Sequence, residues 1–283
     1  MTTITASEVN KLRQMTGAGM MDCKNALVET QGDFEAAVDF LRKKGAKIAA
    51  KRADREATEG CVIAMVNDAR NAGVIVLLAC ETDFVAKNEA FVELAKSIAT
   101  LALENKPADL DALKALSLNG VAVADRLLDE VAKIGEKIDV TKYELVEGAN
   151  VVSYIHGANR MGVLVEMNNA ASDANLVAGK DVAMQIAAMN PVAVNRDSVD
   201  ANTIERELEI GREQARAEGK PEAMIDRIAD GKLQKFFKES TLIAQDFVKD
   251  GSMTVEKYLS GVEPGLTVSR FKRVQLEIGR AHV

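Results

Sequence analysis

Cys80 and Glu81 stand side by side at the end of the apolar run GVIVLLAC. A thiol beside a carboxylate has the parts of a nucleophile and its base. The electrostatics oppose that use, because an adjacent negative charge raises a thiol's pKa and disfavours the thiolate. Glycines and a lysine also occur together in GAGMMDCKN, residues 17 to 25. That stretch lacks the adjacent Gly-Lys-Ser/Thr of a phosphate-binding P-loop. It also lacks the third glycine and the preceding strand of a dinucleotide-binding turn. Cys23, Cys61 and Cys80 are far apart, and the two histidines, His156 and His282, have no partners at metal-ligand spacing. Covalent chemistry, a bound metal and a cofactor are therefore not expected, and no catalytic residue is assigned. His156 reads, on its own, as an ordinary turn residue.

The elements that would position these residues come from patterning. The chain has 283 residues, 47% hydrophobic and 28% charged, with 4% aromatic and no Trp. Small aliphatic residues must build the core, which suits helices with some buried strand. The net charge of −7 disfavours a phosphate backbone as main partner, so direct nucleic-acid binding is not expected. The basic stretch KKGAKIAAKR, residues 43 to 52, reads as a solvated helix end and linker. Apolar runs fall short of a bilayer span and the start lacks a signal-peptide pattern, so a cytoplasmic protein is expected.

Residues 5 to 44 read as three short helices. Thr5 and Glu8 have capping-box spacing, TGAG at 16 to 19 breaks the first helix, and the second runs from about Asp22 to Thr30. Asp33 caps a third helix that carries Ala37, Val38 and Leu41. So small a module is more often a docking unit than an enzyme.

An internal repeat follows. CVIAMVNDARNAGVIVLL from Cys61 lies over NVVSYIHGANRMGVLVEM from Asn150 without a gap, a displacement of 89 residues. Each copy reads as strand, turn, strand and then helix. The helix stripes are Phe91, Leu94, Ala95 and Ile98 in the first copy, and Val182, Ile186 and Met189 in the second. Residues 109 to 135 between the copies read as helical, with Leu127, Leu128 and Val131 on one face. A charged helical hairpin over 203–239 bends at Gly219-Lys220-Pro221, with Pro221 at the first position of its second helix. The expected fold is α+β. It comprises a three-helix module resembling a ubiquitin-associated domain with its linker (1–55), core subdomains over 56–145 and 146–279 with small antiparallel sheets, and the hairpin projecting from the second.

Phe84, in ETDFVAKN, has two readings. One continuous helix would put Phe84, Phe91, Leu94 and Ile98 on a common buried face. Against that, the gap-free repeat places Asp173 where Phe84 stands and Ala174 where Val85 stands. Asn88 would also cap a helix starting at Glu89, leaving TDFVAK as a separate turn. Core residue and partner contact both remain open on these grounds.

ETDFVAKN at 81 to 88 resembles a signature of the bacterial translation elongation factor Ts family, and LRQMTGAGMMDCKNAL at 12 to 27 resembles its second signature. AKIGEKI at 132 to 138 and SYIHGANRMGVLVEMN at 153 to 168 are also similar to family segments. Two departures accompany the resemblance. Ala79 stands where the family usually has Asn, and IGRAHV is unlike the family's ending, so residues 280–283 are expected to be non-native and His282 to carry no function.

The resemblance implies a guanine-nucleotide exchange factor for elongation factor Tu in its GDP-bound form. Thr82, Asp83, Phe84 and Val85 would disturb the partner's Mg²⁺ site, with Phe84 as a wedge and Asp83 making polar contacts beside it. Arg13, Met20 and Met21 would grip the GTPase domain, and Ile134 and Gly135 would touch it near the base. His156 would meet another domain of the partner, and the hairpin would mediate self-association. The rivals are a docking protein without exchange activity and an enzyme built on Cys80 and Glu81.

Overall fold

The computed structural model describes residues 4–276. The expected foreign tail at 280–283, with His282, lies outside the described residues. The chain packs as two compact units. One holds residues 4–63, Val74–Glu144 and 274–276. The other holds Ala64–Gly73 and Leu145–Arg273.

The first unit opens with α1 (Ala6–Thr16), α2 (Met20–Glu29) and α3 (Phe34–Lys51). The Thr5–Glu8 capping box forms with both of its hydrogen bonds, and the Asp33 side chain accepts from the Ala36 amide. These caps satisfy amides that have no partner inside the helix. Gly17, at φ 70°, ends α1 in the left-handed conformation that a Cβ disfavours. Val9, Leu12, Cys23, Ala26, Leu27, Ala37 and Leu41 form the module's own core.

α3 does not stop at Lys44. The lysine-rich segment expected to act as a linker is helical through Lys51. The reason lies in Gly45, where an added Cβ would stand 2.5 Å from the Leu128 carbonyl oxygen. Missing that side chain, α3 lies close against α7 (Val123–Ile134, placed below). The Arg42–Asp129 ion pair at 3.4 Å joins the same two helices.

β1 (Glu59–Val66) and β2 (Ala72–Cys80) form the first hairpin. Every residue of β2 is buried, as its unbroken apolar run requires. The chain continues through the short α4 (Asp83–Ala86) to α5 (Glu89–Asn105), which buries Phe91, Ala95 and Ile98. The span expected to be helical over 109–135 is divided. α6 (Leu110–Ala115) is followed by β3 (Ser117–Leu118) and β4 (Val121–Ala122), and only then by α7. Asn119 and Gly120, at φ 55° and 84°, make the turn between these two strands. An Asn-Gly pair strongly favours this hairpin turn over continued helix. β5 (Asp139–Glu147) completes a three-stranded sheet in the order β1-β2-β5.

The second unit repeats the theme. β6 (Asn150–His156) pairs antiparallel with β7 (Met161–Met167), and α8 (Asp173–Met189) follows. Val182 and Ile186 of α8 are fully buried in the core, but Met189, read onto the same stripe, is 48% exposed at the helix end. α9 (Ala201–Ala217) and α10 (Ile225–Ser240) form the expected hairpin. Gly211 approaches Ala229 closely, and Leu233 and Phe237 pack with Ala193 and Val199, so the hairpin does have a small core. Pro221 precedes a 3₁₀ turn over Glu222–Met224 instead of starting the second helix. β8 (Asp246–Phe247), β9 (Asp250–Thr254), α11 (Val255–Val262) and β10 (Val268–Gln275) complete the chain, and β10 extends the second sheet in the order β10-β7-β6.

The repeat is real in the hairpins, but the gap-free overlay fails beyond them. β1 and β6 correspond at a displacement of 89, Cys61 with Asn150. The following helices are 17 residues each and are capped by Asn88 and Ser172, a displacement of 84. Their left-handed C-caps, Lys106 and Asn190, keep that same displacement. The first copy thus carries five additional residues between hairpin and helix, and α4 lies in that stretch. Phe84 has no counterpart in the second copy, and Asp173, the first residue of α8, corresponds to Glu89 and not to Phe84.

Candidate functional site

Asn88 removes the core reading of Phe84. Its side chain accepts from the Ala90 amide at 2.9 Å and starts α5 afresh. α4 is therefore a separate turn, Phe84 leaves the α5 stripe, and its side chain is 84% exposed. A single turn whose Val85 and Ala86 are only half-buried gains little from packing, so polar contacts do most to hold it.

Those contacts converge from three segments of the first unit. The Thr82 hydroxyl caps α4, accepting from the Val85 amide at 3.4 Å, and donates to Glu136 Oε1 at 2.7 Å. Glu136 Oε2 accepts from the Glu81 and Thr82 amides at 3.2 and 3.1 Å. In return, the Glu81 carboxylate accepts from the Lys137 amide at 2.6 Å. Arg52 Nη1, just past the end of α3, donates to both Glu81 oxygens at 2.7 and 2.8 Å. Lys137 Nζ donates to the Ala53 and Arg55 carbonyls at 2.7 and 3.0 Å. Burial works to raise the Glu81 carboxyl pKa, but the Lys137 amide and the Arg52 guanidinium outweigh it and the net shift is downward.

Asp83 bonds Lys87 at 2.6 Å within the turn, and this ammonium holds its carboxyl below the usual range. Gly135, at φ 80°, ends α7 and donates its amide to the Val131 carbonyl at 2.8 Å. That turn sends the chain back so that Glu136 and Lys137 reach residues 81 and 82.

Cys80 is not a nucleophile in this setting. It is fully buried, donates to the Thr82 carbonyl at 3.2 Å, and is pushed up to about 12 by burial and the Glu136 charge. The enzyme reading therefore loses its reactive group. Among the described residues no group of three or more His, Cys, Asp and Glu is placed to hold a metal ion. None of the helices described is long and apolar enough to cross a membrane.

A family model described as Elongation factor TS matches residues 81–278. The curated Elongation factor Ts of Amoebophilus asiaticus (strain 5a2) is 54% identical over 271 residues, covering 96% of this chain and 98% of the relative. The chain belongs to the elongation factor Ts family. Elongation factor Ts of Flavobacterium psychrophilum is 52% identical, covering 98% of this chain and 100% of that one. Elongation factor Ts of Chlorobium phaeobacteroides (strain BS1) is 43% identical, with 98% and 99% covered.

Within the first unit the structure gathers several of the residues that the family signatures put forward. Thr82–Val85 and Ile134–Gly135 are tied together through Glu136. Arg13, Met20 and Met21 are exposed on α1 and α2 of the same unit, the two methionines at 46% and 63%. The loop between those helices adjoins α7, since a Cβ on Gly17 would stand 3.2 Å from Lys133 Cδ. His156 belongs to the second unit, exposed at the end of β6, with Nδ1 2.9 Å from the Tyr154 hydroxyl. Residues 157 to 159 then turn the chain with three successive positive φ values, 63°, 52° and 67°. Arg52, Glu136 and Lys137 were not singled out from sequence as parts of a site, and Glu81 was read there only as a carboxylate beside Cys80. The available signal was an acidic residue directly after the helix-ending glycine in AKIGEKI.

Proposed function

We propose that this chain is a guanine-nucleotide exchange factor that binds elongation factor Tu with GDP bound and promotes GDP release. The observation that carries the reading is Phe84, a large aromatic 84% exposed on a turn fixed by polar contacts at its base. Leaving so much apolar surface in water is unfavourable for the isolated chain and becomes favourable only when a partner covers it.

In this mechanism Phe84 enters the GTPase domain beside the Mg²⁺ and phosphate site, with Thr82, Asp83 and Val85 around it. Burying one Phe supplies ~1.5–3 kcal/mol, and each tenfold change in nucleotide affinity needs ~1.4 kcal/mol. Further contacts must therefore contribute. Arg13, Met20 and Met21 grip the same domain, where the flexible thioethers adapt to its surface. Ile134 and Gly135 meet it nearer the base, and His156 meets a different domain. Exchange follows from linkage: a protein that prefers the empty nucleotide site weakens nucleotide binding, and nucleotide weakens the complex equally in return. The helical hairpin provides self-association. No covalent step and no cofactor take part, and the setting is the cytoplasm.

The test is a rapid mix of the full chain with elongation factor Tu loaded with fluorescent GDP and chased with GTP. Accelerated loss of fluorescence supports exchange. A complex that forms while release stays at its intrinsic rate overturns it in favour of simple docking, and no complex overturns both.

A further inference from the structure

We infer that Glu136 is a positioning residue for nucleotide exchange, joining the Thr82–Val85 turn and the Ile134–Gly135 turn into one rigid contact element. This rests on the exchange reading above. The bonds are reciprocal: the Glu136 side chain takes the amides of residues 81 and 82, and the Glu81 side chain takes the amide of residue 137. Each turn's carboxylate thus satisfies the other's backbone, so neither can shift without leaving donors unpaired.

Packing contributes little here, with Val85 and Ala86 only half-buried. α4 has four residues and none is buried, and the Asp83–Lys87 pair lies within the turn and does not attach it to the body. The Thr82 hydroxyl passes the constraint on, bonded on one side to Glu136 and on the other to the Val85 amide. The direction in which Phe84 projects is therefore set through Glu136. Resistance met by the aromatic ring is carried to Gly135 and α7, and through Glu81 and Arg52 to the end of α3. A wedge on an untethered turn would yield to the partner's pocket, whereas a preorganised one displaces the pocket's own groups.

The experiment measures GDP release from elongation factor Tu over a range of concentrations for wild type, Glu136→Ala, Glu136→Gln, Phe84→Ala and the double variant Phe84→Ala/Glu136→Ala. Glu136→Ala should lower the maximal release rate by roughly tenfold or more while the half-saturating concentration moves less than about threefold, because the remaining grips still bind and only the displacing step is lost. Glu136→Gln keeps an oxygen for the Thr82 hydroxyl and should recover part of the rate. In the Phe84→Ala background, Glu136→Ala should cause no further slowing, while its effect on melting temperature persists. A purely structural role would instead make the two losses additive. Slow Phe84→Ala with wild-type rates for both Glu136 variants, or additive losses, overturns the positioning role alone. Unchanged exchange in Phe84→Ala overturns the exchange reading and the positioning role with it. Should Glu136→Ala fail to fold, the Gln variant and its double with Phe84→Ala decide by the same criteria.

Discussion

Gly45 lies so close to Leu128 that a β-carbon on it would stand 2.5 Å from the Leu128 carbonyl oxygen. This contact makes the lysine-rich stretch a working part of α3, and it fixes the three-helix module against α7. Ala is favoured over Gly in helix interiors by ~1 kcal/mol, so Gly45→Ala would stabilise a free helix. Here overpacking against backbone, ~1–3 kcal/mol, should prevail and lower the melting temperature. Gly231 in α10 is the control, since a Cβ there meets nothing within 4 Å. Gly231→Ala should raise the melting temperature, and calorimetry of the two variants should show opposite signs.

Asn88→Ala removes the cap that separates α4 from α5. The expected cost is ~0.5–2 kcal/mol, as for other N-caps. Urea unfolding followed by circular dichroism measures it. Asn88→Asp or Asn88→Ser should restore most of the loss, because either side chain can accept from the Ala90 amide.

Glu81 makes stability depend on acid. Its carboxyl is held below 4.5 in the folded chain, so the folded state binds that proton more weakly than the unfolded state does. The contribution is complete above about pH 4.5 and is lost as pH falls through the depressed folded value. Wild type should exceed Glu81→Gln by roughly 1–2 kcal/mol near pH 6, and the gap should narrow steadily below about pH 4.5. A gap in urea midpoint that stays constant over this range contradicts the assignment.

All three cysteines are buried and unpaired, with Cys61 pushed up to about 11 and Cys80 to about 12, both mainly by burial. A thiol-reactive chromophore at neutral pH should label the native protein slowly and reach three equivalents per chain only on unfolding. Rapid native labelling of Cys80 would revive a reactive role for it.

Local chemistry was the most readable part of the sequence. Thr5 with Glu8, Asp33 and Asn88 act on neighbours within three residues, and each caps a helix as the spacing indicates. Both hairpins of the repeat were legible from their apolar pattern. The Asn119-Gly120 turn was equally local and was overlooked, because the apolar spacing on either side fits a helix. Long-range contacts were hidden. Gly45 is explained only by Leu128, and Glu136 only by residues 81 and 82, so neither role has a signature in its own segment. Phe84 stood between two readings because its spacing of seven from Phe91 suits a continuous helix. The five additional residues in the first repeat, and the cap at Asn88, remove the core reading only once the fold is in hand.

On the exchange proposal, Phe84 serves a partner and not its own fold. Phe84→Ala measures it directly, with GDP release from elongation factor Tu and thermal unfolding recorded on the same preparation. A ring 84% exposed contributes little to the fold, so the melting temperature should stay within about 2 °C of wild type. Exchange at saturating protein should fall by roughly 10- to 100-fold, the equivalent of the ~1.5–3 kcal/mol that the ring gains on burial. Wild-type exchange rates in the variant, or unfolding several degrees lower with exchange reduced only in proportion to the folded fraction, would contradict the claim.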